Sequence, residues 1–128
     1  MRGRFAPSPS GRMHLGNVAC ALLAWLSVRS QGGEMVLRIE DLDPDRCREE
    51  YAVTLMEDLT WLGLTWDEGP YWQSRRRDLY EQALRALGQD VYPCFCTRAQ
   101  LHAASAPHRG DGVFRYPGTC RDLTPKEI

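Results

Sequence analysis

Apolar positions along the chain alternate between two rhythms. Arg2 to Phe5 is short enough for a strand, and Leu15, Val18, Leu22, Trp25 and Leu26 then recur at helical spacing, predicting an amphipathic helix over residues 15–31. After a Gly32-Gly33 turn comes the unbroken apolar run Met35 to Ile39, read as a buried strand. Two such strands joined by a helix make a βαβ unit whose crossover is expected to be right-handed. Farther on, Asp43-Pro44 supplies an N-cap and first helical residue, and Tyr51, Leu55, Leu59 and Leu62 mark one face of a helix ending near Gly63. Residues 64–73 read as an irregular stretch anchored by Trp66 and Trp72. Ser74 can cap a helix over residues 75–87 with Leu79, Ala83, Leu84 and Leu87 as its apolar stripe, Val91 to Cys94 reads as a third short strand, and residues 97–112 as a short helix and polar loop.

Chemistry concentrates where the first strand meets the first helix. The segment FAPSPSGRMHLGN, residues 5–17, is a Pro-punctuated loop that delivers His14 and Gly16 to a helix N-terminus. Free N–H groups and the positive dipole end there attract phosphate, and a glycine lets a flat base approach the backbone closely. An ATP site is the reading this supports, set against a plain helix-entry role for His14. Arg4 and Glu40, at the ends of the two strands, could instead form an ion pair with each other or with Arg38 and Asp41.

Composition bounds the reading. At 128 residues and 43% hydrophobic, the chain can bury a core, and a net charge of −1 excludes a globally basic nucleic-acid binder. Arg75-Arg76-Arg77 reads as a solvated first helical turn, with contact to nucleic-acid phosphates as the other possibility. No apolar run reaches membrane-spanning length and the N-terminus carries no signal peptide, so a cytoplasmic protein is expected. In a reducing compartment the five cysteines are ligands or core residues rather than disulfides. Cys20, among Ala19, Ala21 and Leu22, is expected to be buried, and Cys47 stands in a charged stretch without a partner. Cys94, Cys96 and Cys120 form a CxC pair and a third thiol, three donors for a tetrahedral zinc site. The fourth donor is open among Tyr116, Asp122, His108 and His102; three reduced cysteines in a small subdomain are the plain alternative.

RFAPSPSG, HLGN and RIEDLD, in this order and spacing, closely resemble the first half of the glutamate-specific class I aminoacyl-tRNA synthetases, specifically over residues 2–45 and more loosely to about residue 121. The resemblance implies an α/β fold: the first half of a class I Rossmann-type parallel sheet over residues 1–91, followed over residues 92–128 by the start of a small zinc-binding acceptor-type insertion. It implies that glutamate is activated by ATP with Mg²⁺ as glutamyl-adenylate and passed to an RNA hydroxyl. Arg4 and the Phe5, Ala6, Pro7 and Ser8 segment would form one wall of the glutamate pocket, with Glu40 holding the α-ammonium. His14, Gly16 and Asn17 would contact ATP, His14 as the catalytic group, and Arg4, His14 and Glu40 would converge on one cavity. Zinc-carrying glutamyl-tRNA synthetases place a histidine two positions after the last cysteine, where this chain has Asp122. The related glutamyl-queuosine tRNA(Asp) synthetases use a tyrosine four positions before it, where Tyr116 stands. This favours queuosine in the anticodon of tRNA(Asp) as acceptor, with tRNA(Glu) as the alternative. Thr124-Pro125-Lys126-Glu127 reads as a capping box opening a further helix. The chain is therefore expected to be the N-terminal part of a longer protein, lacking the KMSKS-type loop and inactive by itself.

Overall fold

The computed structural model describes residues 1–105, 116–124 and 126. The chain divides into two compact units, Met1–Tyr80 and Glu81–Ile128.

The first unit is built on a three-stranded parallel sheet in the order β1 (Arg2–Phe5), β2 (Glu34–Ile39), β3 (Glu68–Trp72). Helix α1 (Leu15–Arg29) connects β1 to β2, and α2 (Glu49–Trp61) connects β2 to β3. Arg4 pairs with Val36 and Phe5 with Leu37, while Arg38 pairs with Tyr71 and Ile39 with Trp72. Side chains alternate across a strand, so Phe5, Leu37, Ile39 and Trp72 share one face. There they pack with Ala21 of α1 and with Ala52, Leu55 and Leu59 of α2. Leu37 and Ile39 are fully buried, each contributing about 1.5–3 kcal/mol relative to exposure. The opposite face presents Arg2, Arg4, Val36, Arg38 and Tyr71.

The third strand differs from expectation. It lies inside the stretch read as irregular, because Gly69-Pro70 interrupts its pattern and Pro is confined to edge strands and bulges. A register shift between Val36 and Arg38 takes up that interruption. Gly69 has φ +97°, and a Cβ there would meet the Leu37 carbonyl oxygen at 2.3 Å, so only glycine fits. Val91 to Cys94, read as a strand, forms none.

Two helices are seated differently from their sequence signals. The stripe on α1 is largely solvent-facing: Leu15 is 87% exposed, and Leu22 and Leu26 are exposed as well. The helix rests instead on Ala21, Val28 and half-buried Trp25, whose Nε1 donates to the Thr65 carbonyl at 2.9 Å. The approach is close, since a Cβ on Gly3 would lie 2.1 Å from Val28 Cγ2. Cys20 follows the exposed side of α1 and is exposed, not buried. Asp43-Pro44 does not start α2; Asp43 closes its own turn, accepting from Arg46 Nε at 2.7 Å and from Cys47 N at 2.8 Å, and α2 begins after Arg48. Ser74 is likewise not the cap of a long helix. Residues Gln73–Arg76 form a 3-10 turn before α3 (Arg77–Leu87). In that turn the Ser74 N–H and Oγ donate to the Asp41 carboxylate at 2.9 and 2.5 Å. Arg75, which is exposed as expected of a solvated turn, and half-buried Arg76 lie over the rings of Trp72 and Tyr71, at 5.0 and 5.5 Å.

In the second unit, residues 91–97 are irregular and lead into α4 (Arg98–Ser105). Thr97 and Gln100 cap its start: Thr97 N donates to Gln100 Oε1 at 2.7 Å and Gln100 N to Thr97 Oγ1 at 3.3 Å. This is a T-x-x-Q capping box. The Thr124 to Glu127 box involves Pro125 and Glu127, which lie outside the described residues.

Candidate functional site: a nucleotide cleft and a cysteine cluster

The loop after β1 is fixed to the sheet by its own backbone. Pro7 O accepts the Glu40 N–H at 3.0 Å, Pro9 O accepts the Arg48 N–H at 3.1 Å, and Pro9 is fully buried. Proline is suited to these positions, since its carbonyls serve as acceptors without an N–H left to satisfy. The loop thereby lines a cleft of about 460 Å³ that includes Phe5, Ala6, Pro7, Ser8, His14 and Asn17.

At the far end of the loop His14 is the N-cap of α1. Its Nδ1 accepts the Gly16 N–H at 3.0 Å, and its own N–H donates to Asn17 Oδ1 at 3.1 Å, a reciprocal capping box. Because Nδ1 is the acceptor, the ring proton resides on Nε2. His14 is exposed and lines the cleft, so Nε2–H is the donor it has left for a ligand.

Arg4 faces the other way. With Arg2, Arg38, Tyr71 and Arg76 it lines a second cavity of about 620 Å³ on the open face of the sheet. Arg4 and His14 therefore do not share a cavity among the described residues, contrary to the expected convergence, because Arg4 and Phe5 are consecutive strand residues and point to opposite faces. Glu40 stands just past the carboxyl end of β2. Its backbone N–H bonds the cleft loop, and its carboxylate accepts from Arg38 Nη2, the pairing left open by the sequence. Of the arginines on this face, Arg4 and Arg38 were singled out from the sequence and Arg2 was not, although all three share one period-two register.

In the second unit, Cys94, Cys96 and Cys120 place their sulfurs within 4.8 Å of one another. Cys96 and Cys120 Sγ are 3.6 Å apart, and the Phe95 N–H donates to Cys120 Sγ at 3.4 Å. That N–H, ahead of other effects, pulls the Cys120 thiol down to about 7, while its place beside Cys120 pushes Cys96 up to about 11. Three sulfurs this close cannot all ionise without a cation among them, so the donor set fits a bound Zn²⁺. The Tyr116 hydroxyl is 3.5 Å from Cys94 Sγ and accepts the Cys120 N–H at 2.9 Å. Its ring stacks on Tyr92 at 6.4 Å. Its hydroxyl is pushed upward, first by the Cys94 thiol. Asp122 is exposed, while His108 and the His102 side chain lie outside the described residues. Cys47, expected to be without a partner, has Sγ 3.6 Å from the Glu40 carbonyl oxygen.

Residues 1–128 match the family described as tRNA synthetases class I (E and Q), catalytic domain, and the chain belongs to that family. It is 54% identical to a glutamyl-Q tRNA(Asp) synthetase of Nitratidesulfovibrio vulgaris, a match covering 99% of this chain and 43% of the relative. It is 48% identical to a glutamate–tRNA ligase of Thermosynechococcus vestitus, over 99% of this chain and 27% of the relative. A crystal structure of a glutamate tRNA ligase from Elizabethkingia meningosepticum in complex with its amino acid matches with a TM-score of 0.67 at 37% identity, covering 83% of this chain and 23% of that one. The chain thus spans less than half the length of these relatives. The α/β parallel sheet is the start of the class I synthetase Rossmann fold. No described helix is long and apolar enough to cross a membrane.

Proposed function

We propose that this chain carries the first half of a ligase that activates glutamate with ATP and transfers it to queuosine in the anticodon of tRNA(Asp). The observation that carries the reading is the His14 cap: a helix N-terminus and an Nε2–H donor border a cleft whose loop is pinned to the sheet. In the first step an oxygen of the glutamate α-carboxylate attacks the α-phosphorus of ATP, the bond to the bridging oxygen breaks, and Mg²⁺-pyrophosphate leaves. In the second, an RNA hydroxyl attacks the glutamyl carbonyl and AMP leaves. Both steps depend on positioning and charge stabilisation more than on covalent work by side chains.

In this reading His14 donates through Nε2–H to the phosphates, and Gly16 and Asn17 border the adenosine. Arg4 holds a substrate carboxylate on the open face of the sheet, the 5–8 backbone borders the cleft on the other side of the β1 end, and Glu40, past the end of β2, receives the α-ammonium. Residues 1–91 form the first Rossmann half and residues 92–128 the start of a zinc-binding insertion, in which Cys94, Cys96, Cys120 and Tyr116 hold one Zn²⁺. That metal ties together a segment with little core of its own. The protein acts in the cytoplasm.

Transfer to queuosine is supported by the glutamyl-Q name of relatives at 54% identity and by Asp122 where the zinc-carrying glutamyl-tRNA synthetases have histidine. The 48% identity to glutamate–tRNA ligases favours tRNA(Glu) as the second reading. Glutamate-dependent pyrophosphate exchange without tRNA, on the longest protein carrying this segment, tests activation. Charging of queuosine-containing tRNA(Asp) against tRNA(Glu) with labelled glutamate then decides the acceptor. Charging of neither would sink the reading.

A further inference from the structure

Glu40 is held at three points. Pro7 O fixes its N–H at 3.0 Å, Cys47 Sγ stands 3.6 Å from its carbonyl oxygen, and Arg38 Nη2 occupies its Oε1. Oε2 has no protein partner among the described residues. The side chains of Arg38 and Glu40 are 26% and 32% exposed, withdrawn far enough from water for a charge-assisted bond to fix geometry rather than flicker. Arg38 is also not fully used by Glu40: its Nε is buried and has no hydrogen-bond partner. Arg38 lines the same open-face cavity as Arg4.

We propose that Arg38 is a positioning residue for glutamate: it holds Glu40 through Nη2, so that Oε2 alone faces the substrate ammonium, and adds its charge to the face on which Arg4 holds a substrate carboxylate. This rests on the reading of Glu40 as the ammonium receptor. An amino acid, with an ammonium for Oε2 and a carboxylate for the cationic face, is the chemical class that satisfies both. A planar guanidinium holds the Glu40 carboxylate at a fixed angle; an ammonium does not.

The test compares the full-length protein with its R38Q, R38K, E40Q and R38Q/E40Q variants by glutamate-dependent pyrophosphate exchange, with thermal melts as the check on folding. R38Q is expected to raise the glutamate KM about tenfold or more while leaving the ATP KM unchanged, and to add little in the E40Q background. R38K is expected to recover only part of the loss. An unchanged glutamate KM in folded R38Q, or a fall in kcat with both KM values intact, overturns the proposal. If R38Q fails to fold, R38K decides: a wild-type glutamate KM there overturns it as well. E40Q with an unchanged glutamate KM removes the underlying reading of Glu40; a raised KM in E40Q beside an unaffected R38Q removes the role of Arg38 alone.

Discussion

The imidazole of His14 fills the space that a side chain on residue 16 would need: a Cβ on Gly16 would lie 2.9 Å from His14 Cε1 and 3.0 Å from Nδ1. Gly16 is thus required by the ring that caps its own helix, before any ligand is considered. G16A is expected to displace the imidazole and lower adenylate formation on the order of tenfold to a hundredfold. Stability should change little, because alanine's better helix propensity, about 1 kcal/mol, offsets the crowding. Exchange kinetics beside a thermal melt check this, and full activity in G16A would dissociate the ring's position from catalysis.

Capping and donation by His14 can be separated. H14A removes both, costing about 1 kcal/mol of helix stability and adenylate formation on the order of 10²-fold. H14D restores an N-cap acceptor without an N–H donor, so it should regain the stability and not the rate. Recovery of both in H14D would reduce His14 to a cap.

Legibility followed from how local each signal was. Strands β1 and β2, helix α1 and the Cys94, Cys96 and Cys120 grouping were readable because period, turn residues and thiol spacing are encoded within a few positions. Strand β3 was hidden, since its Gly69-Pro70 interruption is tolerated only through a register shift against β2 that one strand's sequence cannot display. The exposed side of α1 was misjudged for a related reason. Which apolar face is buried depends on where the sheet can approach, and Gly3 opens that place opposite Val28 rather than under Leu22 and Leu26. Asp41 reaching Ser74 and Arg38 reaching Glu40 are choices among several charged neighbours that only the fold resolves.

Asp67 makes the first unit sensitive to acid. Its carboxylate accepts the Met35 N–H at 2.6 Å and pairs with Arg29 Nη1 at 2.8 Å. These, the Met35 bond foremost, hold it below the ordinary carboxylate range. A lowered folded pKa means the stabilisation is complete above the unfolded value, about 3.9, and disappears as pH falls through the folded value. D67N should therefore melt below wild type at neutral pH, with the gap closing in strong acid. A gap independent of pH would show that the carboxylate's charge is not what ties β3 to α1.

The cysteine cluster predicts a metal-dependent second unit. Protein purified without a metal-affinity tag should contain about one equivalent of zinc, and a strong chelator should unfold the second unit while the 1–80 sheet keeps its amide protection, because the apolar core found among the described residues is drawn from the first unit. C96S should abolish binding. Y116F is the sharper variant, since it removes a hydroxyl that lies 3.5 Å from Cys94 Sγ and accepts the Cys120 N–H, yet leaves the ring against Tyr92. Zinc affinity is expected to fall on the order of tenfold or more, the loss typical when a partner that orients a metal site is deleted. An unaltered affinity in Y116F would pass the fourth position to another donor, and zinc well below one equivalent in the wild type would leave the three thiols as reduced packing residues.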